Sequence, residues 1–236
     1  MQIPNNILRY AIQNCYFING TAYAGKSTMC AMLAERFDMI HCDENYQLDA
    51  FLKAAVPEQQ PNLCYMQTKP SWQHFVSRTP EEYEAWVDGN SRELAAFEVA
   101  ELLRISGERK VIVDTNIPCD ILREIADEDH VAILLSPQSM SVEHFFDRPD
   151  PEKQFLLSVI QSCPAPEAAM QNFKAYIARV NSPERYAAFE NSGFFTLVRP
   201  VTAATRARKC WPHWQSTFIC RVDLLQKQEG RRNALL

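Results

Sequence analysis

Glycine is scarce, with six residues in 236, so neither a glycine-rich repeat nor a long flexible linker is available. No apolar run approaches the roughly 18–20 residues that a membrane-spanning helix needs. The first thirteen residues, Met1 to Gln13, are polar and mixed, with no signal-peptide apolar region. The expectation is a cytoplasmic protein with no membrane partner. Eight cysteines are present, but none forms a Cys-x-x-Cys pair and no Cys/His spacing matches a zinc site. In a reducing compartment they read as buried free thiols. None of the five histidines has a partner at a useful spacing, and they read as structural. An excess of positive charge is also lacking. The net charge of −5 argues against a nucleic-acid binder. The charge is uneven, though: Arg199 to Arg232 holds eight basic and two acidic residues, a local balance of +6 that leaves −11 elsewhere. This stretch reads either as a solvated face balancing an acidic body or as a surface for phosphate groups.

What is present is ordinary globular composition, 47% apolar and 22% charged. Short apolar segments alternate with helical patterns. Cys15–Asn19, Met39–Cys42, Lys110–Asp114, Val131–Leu135 and Phe195–Arg199 read as five strands. Helical patterns cover Lys26–Arg36, Glu44–Ala55, Pro80–Arg104 and Pro164–Val180, with another starting at Ser182-Pro183 and a helical remainder after residue 199. Thr79, Pro80 and Glu82 form a capping-box start for the long helix. The alternation predicts a three-layer α/β/α sandwich around a five-stranded parallel sheet. Ligands then bind beyond the carboxyl ends of the strands, which draws attention to Gly20–Ser27, Asp43–Glu44, Asp114–Asn116 and Ser136.

Gly20-Thr21-Ala22-Tyr23-Ala24-Gly25-Lys26-Ser27 matches G-x-x-x-x-G-K-[ST] at every fixed position, after a strand and opening a helix. The spacing has a physical basis. The glycines let the backbone curl so that its N–H groups face phosphate oxygens. The helix N-terminus adds partial positive charge. Lys26 reaches the β- and γ-phosphates as a mobile point charge. Ser27 supplies a hydroxyl to Mg²⁺, and Thr28 extends the turn. An N-K-x-D motif for guanine recognition is absent, as is the Gly/Ser-rich signature of transport ATPases.

With this loop, the carboxylates after strand two and an Arg-containing segment after strand four, the chain resembles the P-loop small-molecule and nucleoside kinases. These are the adenylate-kinase-like, shikimate-kinase-like and chloramphenicol-phosphotransferase-like proteins, and the chain is most similar to uncharacterised bacterial ATP-binding members. The resemblance implies a single kinase-like domain over residues 1–236. It also implies an acceptor-binding helical insertion at about 44–106 and a lid-like segment at about 145–165.

Each remaining candidate has two readings. Asp43 follows strand two, where a carboxylate takes the acceptor's proton, with Glu44 in reserve; Asp43 also suits a helix N-cap. Asp114 ends strand three as an acid that holds Mg²⁺ or contacts the acceptor, or caps the following turn. Arg148 sits where the resemblance implies a phosphate-closing lid, or pairs with Asp147 and Asp150. Lys153 is its possible helper. Arg78 is set to grip an acceptor beside Trp72, His74 and Phe75, which can stack on a planar substrate, or lies in an exposed loop with a partly buried aromatic cluster. Arg179 and Arg199 read as surface or ion-pair residues.

The expected function is ATP- and Mg²⁺-dependent phosphotransfer to a hydroxyl or phosphate of a small-molecule acceptor, with nucleosides and nucleotides among the candidates. The alternatives are an ATP-binding regulatory protein without transfer and, less favoured, an RNA-processing kinase that uses the basic stretch.

Overall fold

The structure is a computed structural model that describes residues 3–143, 145–147 and 150–199. Five strands form one all-parallel sheet: β1 (Cys15–Gly20), β2 (Ile40–Cys42), β3 (Val111–Asp114), β4 (Val131–Leu135) and β5 (Phe195–Val198). Their spatial order is β2-β3-β1-β4-β5. Every residue of β1, β3 and β4 is buried, as expected of parallel strands covered on both faces.

Side chains alternate between two cores. Cys15, Phe17, Val111, Val113, Ile133 and Leu135 share one core with residues of α1 (Asn5–Ala11), α6 (Pro80–Ile105) and α7 (Cys119–Ile125). Tyr16, Ile18, Ile112, Ala132 and Leu134 meet Met29, Cys30 and Leu33 of α2 (Lys26–Phe37) on the other side. Helices therefore cover both faces of the sheet, the expected layering. Among the described residues no helix is long and apolar enough to cross a membrane.

Further helices lie beyond the sheet. They are α3 (Leu48–Ala54), α4 (Pro61–Thr68), α5 (Trp72–Val76), α8 (Gln138–Glu143), α9 (Pro151–Gln161), α10 (Pro166–Val180) and α11 (Pro183–Glu190). A third core joins α5, α9 and α10 through Phe75, Val76, Val159, Ile160, Phe173, Tyr176 and Ile177. Phe145 and Phe146 pack on Phe173, so the segment expected as a lid belongs to this helical layer.

The capping box forms as read: the Thr79 hydroxyl accepts from Glu82 N and the Glu82 carboxylate accepts from Thr79 N. Other boundaries shift. Residues 44–47 are a turn rather than the first turn of a helix, with Asn45 at φ +71° and Gln47 at φ +58°. Asp43 therefore caps nothing; Gln47 occupies the N-cap of α3. The helices α1, α3, α4, α5, α7, α8 and α11 span eight residues or fewer, and their stability comes from packing rather than from a long amphipathic pattern. The expected helical remainder after residue 199 lies outside the described residues.

Gly20 ends β1 at φ +129°, and a Cβ built there would sit 1.9 Å from the Leu134 carbonyl oxygen. Gly107 has nothing within 4 Å of its Cβ position. Gly20→Ala is expected to destabilise the fold by about 4 kcal/mol or more, and Gly107→Ala to stay within about 0.5 kcal/mol. Urea unfolding midpoints measure both, and equal midpoints would contradict the close approach at Gly20.

Candidate functional site

β1 is the central strand, with β3 on one side and β4 on the other. The chain leaves β1 in one direction and returns to its other side, which opens a crevice at the carboxyl end of β1. The loop from Gly20 to Ser27 fills this position.

The loop is fastened to β4. Thr21 N donates to Leu134 O at 3.0 Å, and Ser136 N donates to Thr21 Oγ1 at 2.8 Å. Ser136 Oγ donates to Ala22 O at 2.7 Å. Tyr23 takes a left-handed conformation, φ +65°, which non-glycine residues adopt only when their surroundings hold them there. Three groups do so. Its hydroxyl donates to Phe145 O at 2.9 Å, its carbonyl accepts from Arg199 NH1 at 2.9 Å, and Lys153 Nζ lies 5.0 Å from its ring. Ala24 is fully buried. Gly25, at φ +93°, is the N-cap of α2, and no side chain caps its amides. Thr28 is on the first turn of α2.

Lys26 and Ser27 both face Asp114 at the end of β3. Ser27 Oγ donates to Asp114 Oδ2 at 2.6 Å, and Lys26 Nζ is 3.8 Å from Asp114 Oδ1. The Asp114 side chain is fully buried, yet Oδ1 has no hydrogen-bond partner. Burial raises the Asp114 pKa and outweighs the lowering by Lys26 and Ser27. An orphaned, buried carboxylate oxygen beside a serine hydroxyl fits Mg²⁺, which needs only one or two protein oxygens when phosphates and waters complete its shell. Among the described residues no cluster of three or more His, Cys, Asp or Glu side chains forms a metal cage.

The two carboxylates after β2 differ. Glu44 Oε1 accepts from Asn116 Nδ2 at 2.9 Å, and its charge acts on both Asp114 and Glu98. Asp43 is exposed, and its charge registers at Cys42. Glu44 is exposed as well, but the turn at 44–47 ties it through Asn116 to the segment that follows Asp114.

Arg78 is placed elsewhere. Its guanidinium lies 4.5 Å over the Tyr65 ring and 5.9 Å from Trp86, and NH2 donates to Glu82 O at 2.7 Å. No hydrogen bond or ion pair joins it to the loop, Glu44 or Asp114. Its neighbours do not offer a free stacking face. Phe75 is buried, Trp72 packs edge-on against Phe75 and Phe155, and His74 Nδ1 is 3.2 Å from Tyr65 Oη. Phe75 belongs to the core of the helical layer, Trp72 packs against it, and His74 is exposed. Arg148 lies outside the described residues, as does the basic stretch beyond Arg199. Arg179 makes surface ion pairs with Glu81 and Glu84, whereas Arg199 holds the loop.

Three buried groups outside the singled-out stretches, Glu98, Ile117 and Asn19, join Thr115. Glu98, on α6, is 7% exposed and accepts from Thr115 Oγ1 at 2.7 Å. Thr115 Oγ1 in turn accepts from Ile117 N at 3.0 Å. Asn19 Nδ2 donates to Ile117 O at 2.6 Å, and Asn19 Oδ1 accepts from Gly20 N at 2.5 Å. One signal for Glu98 was present: it shares the buried line Ala95–Glu98–Leu102, an acid at an apolar helix position.

Comparison with protein-family models finds no match for the chain, and comparison with curated proteins finds none either.

Burial pushes Glu98 up from its ordinary 4.5 to about 7; Asp114 and Glu44 add to the rise and the Thr115 hydrogen bond opposes it. The folded state therefore holds a proton that the unfolded chain releases between these values, and stability falls as pH rises through that window. Glu98→Gln removes this dependence. Its stability relative to the parent should rise between pH 4.5 and 7 by something on the order of 3 kcal/mol. Urea unfolding of both proteins across this range measures it, and a constant difference would mean that Glu98 titrates as an exposed acid.

Proposed function

We propose that this protein is an ATP- and Mg²⁺-dependent phosphotransferase that moves the γ-phosphate to a hydroxyl or phosphate oxygen of a small molecule. The supporting observation is the convergence of Lys26, Ser27 and the half-satisfied Asp114 carboxylate at the foot of the loop. A glycine turn with an incidental lysine has no reason to aim that lysine at a buried acid.

In this reading the loop amides and the α2 N-terminus bind the β- and γ-phosphates, and Lys26 leaves Asp114 to follow the γ-phosphate. Ser27 and Asp114 would hold Mg²⁺, which would supply positive charge to the phosphate oxygens. The acceptor lies over the carboxyl ends of β2 and β3. Its oxygen forms a bond to the γ-phosphorus as the bond to the β-phosphate oxygen breaks, and ADP leaves. Glu44 takes the proton when the acceptor is a hydroxyl, and Asn116 orients Glu44. Asp43 is the secondary candidate. Catalysis here is mostly positioning and electrostatic stabilisation.

Transfer is tested by ADP release and product mass against a panel of nucleosides, nucleotides, shikimate-like metabolites and aminoglycoside or phenicol antibiotics. Lys26→Ala should weaken ATP binding at least about tenfold and abolish transfer. Unchanged ATP binding in that variant would overturn the loop assignment. Glu44→Gln should slow transfer to a hydroxyl about 100-fold or more with ATP affinity retained, while Asp43→Asn changes the rate by less than about fivefold. The reverse ranking would move the proton acceptor to Asp43. Tight ATP binding with no acceptor-stimulated turnover would favour a regulatory nucleotide binder.

A further inference from the structure

Besides the bonds at Tyr23 and Ser27, two hydrogen-bonded lines tie the loop to the sheet and to α6. One runs to β4 through Thr21, Ala22 and Ser136. The other starts on α6 and runs through groups that are all buried: Glu98, Thr115, Ile117, Asn19 and Gly20. Thr115 is the residue after Asp114, and its own N–H is tied to Ile18 O at 3.0 Å.

The hydrogen bonds of this second attachment meet at the Thr115 hydroxyl. Ile117 N–H can only donate, so Thr115 Oγ1 accepts from it. The Thr115 hydroxyl proton then needs an acceptor, and Glu98 Oε2 is that acceptor. Packing alone gives no reason for an acid here. A leucine at position 98 would continue the Ala95–Leu102 line without the cost of desolvating a carboxyl group, but would leave the Thr115 hydroxyl unpaired. An acceptor at this site makes sense if the turn after β3 must be held in one position.

We propose that Glu98 is a positioning residue: acting through Thr115, it holds the Asp114 carboxylate in register with Ser27 for the metal that accompanies ATP. The assignment rests on the phosphate-loop reading above. Glu98 does not touch nucleotide or metal. It is the outer support of an inner ligand, and losing such supports typically weakens metal binding about 10- to 100-fold. Because the loop keeps its β4 attachment, the effect falls on the Mg²⁺-linked part of ATP binding and spares the metal-free part.

The test is calorimetric titration of ATP into the full chain, with Mg²⁺ and separately with EDTA, alongside thermal unfolding of every variant. Glu98→Leu and Thr115→Val should each reduce the Mg²⁺-linked gain in ATP affinity about tenfold. Metal-free ATP affinity should stay within about twofold. Glu98→Gln keeps an acceptor and should retain the gain to within about threefold. The double variant Glu98→Leu/Thr115→Val should be no worse than the weaker single variant, because both break one link.

An undiminished gain in Glu98→Leu or Thr115→Val would overturn the proposal. So would a Glu98→Gln variant as defective as Glu98→Leu, since that would make charge, not the hydrogen bond, the operative property. Should Glu98→Leu unfold, Thr115→Val decides the matter, because it breaks the same link without altering α6. Failure of the underlying reading has a different signature: the parent protein binds no ATP, or Lys26→Ala binds it equally well. Either result removes both proposals together, whatever the Glu98 variants do.

Discussion

A carboxylate at the end of a fully buried strand must be compensated, and Asp114 is compensated only in part. Ser27 satisfies one oxygen; the other faces Lys26 at 3.8 Å with no hydrogen bond. Burying an acid in this state carries a cost that nothing in the sheet core requires. The surrounding arrangement makes sense as a way of keeping that oxygen available. β1 and β3 pair in parallel, with Ile18 opposite Asp114, so the acid lies beside the start of the loop. α2 then turns back at Gly25 and brings Lys26 and Ser27 over it.

Holding such a site open requires rigid surroundings, and two different devices supply them. On the β4 side, the close approach of Gly20 to Leu134 and the Thr21–Ser136 bonds fix the loop backbone. On the β3 side, a line of hydrogen bonds ends on Glu98 of α6. α6 also extends past the sheet. There Glu93 accepts from the backbone N–H groups of Asn62 and Leu63, and Glu84 pairs with Arg179 and Arg185. One helix thus supports both the turn after Asp114 and the helical layer beyond the strand ends.

That layer sets the surroundings of several candidates. Arg78, Trp72, His74 and Phe75 are close in sequence and have the chemistry of a recognition site. In the fold the Trp72 and Phe75 rings pack edge to face and the Arg78 cation rests on Tyr65, with Arg78 Nη1 buried and unpartnered. Aromatic residues at such density bury large apolar areas, and between short helices that burial takes precedence. Likewise, Arg199 read as a surface residue because its partner, the Tyr23 carbonyl, is 176 positions away in the chain.

The sequence alone determined what depends on local chemistry. Short β-branched strands, a helix start at Thr79-Pro80-Glu82 and the spacing of Gly20, Gly25, Lys26 and Ser27 are patterns within a few residues. Each constrains the backbone without reference to distant parts of the chain. The order of the strands, the bond between Glu44 and Asn116 and the burial of Glu98 beside Thr115 were decided only by tertiary structure. The reason is the same in each case. Whether a carboxylate is a surface charge, a cap or part of a site is set by what the fold brings within about 4 Å of it and by how much water it excludes, and neither quantity is local in sequence.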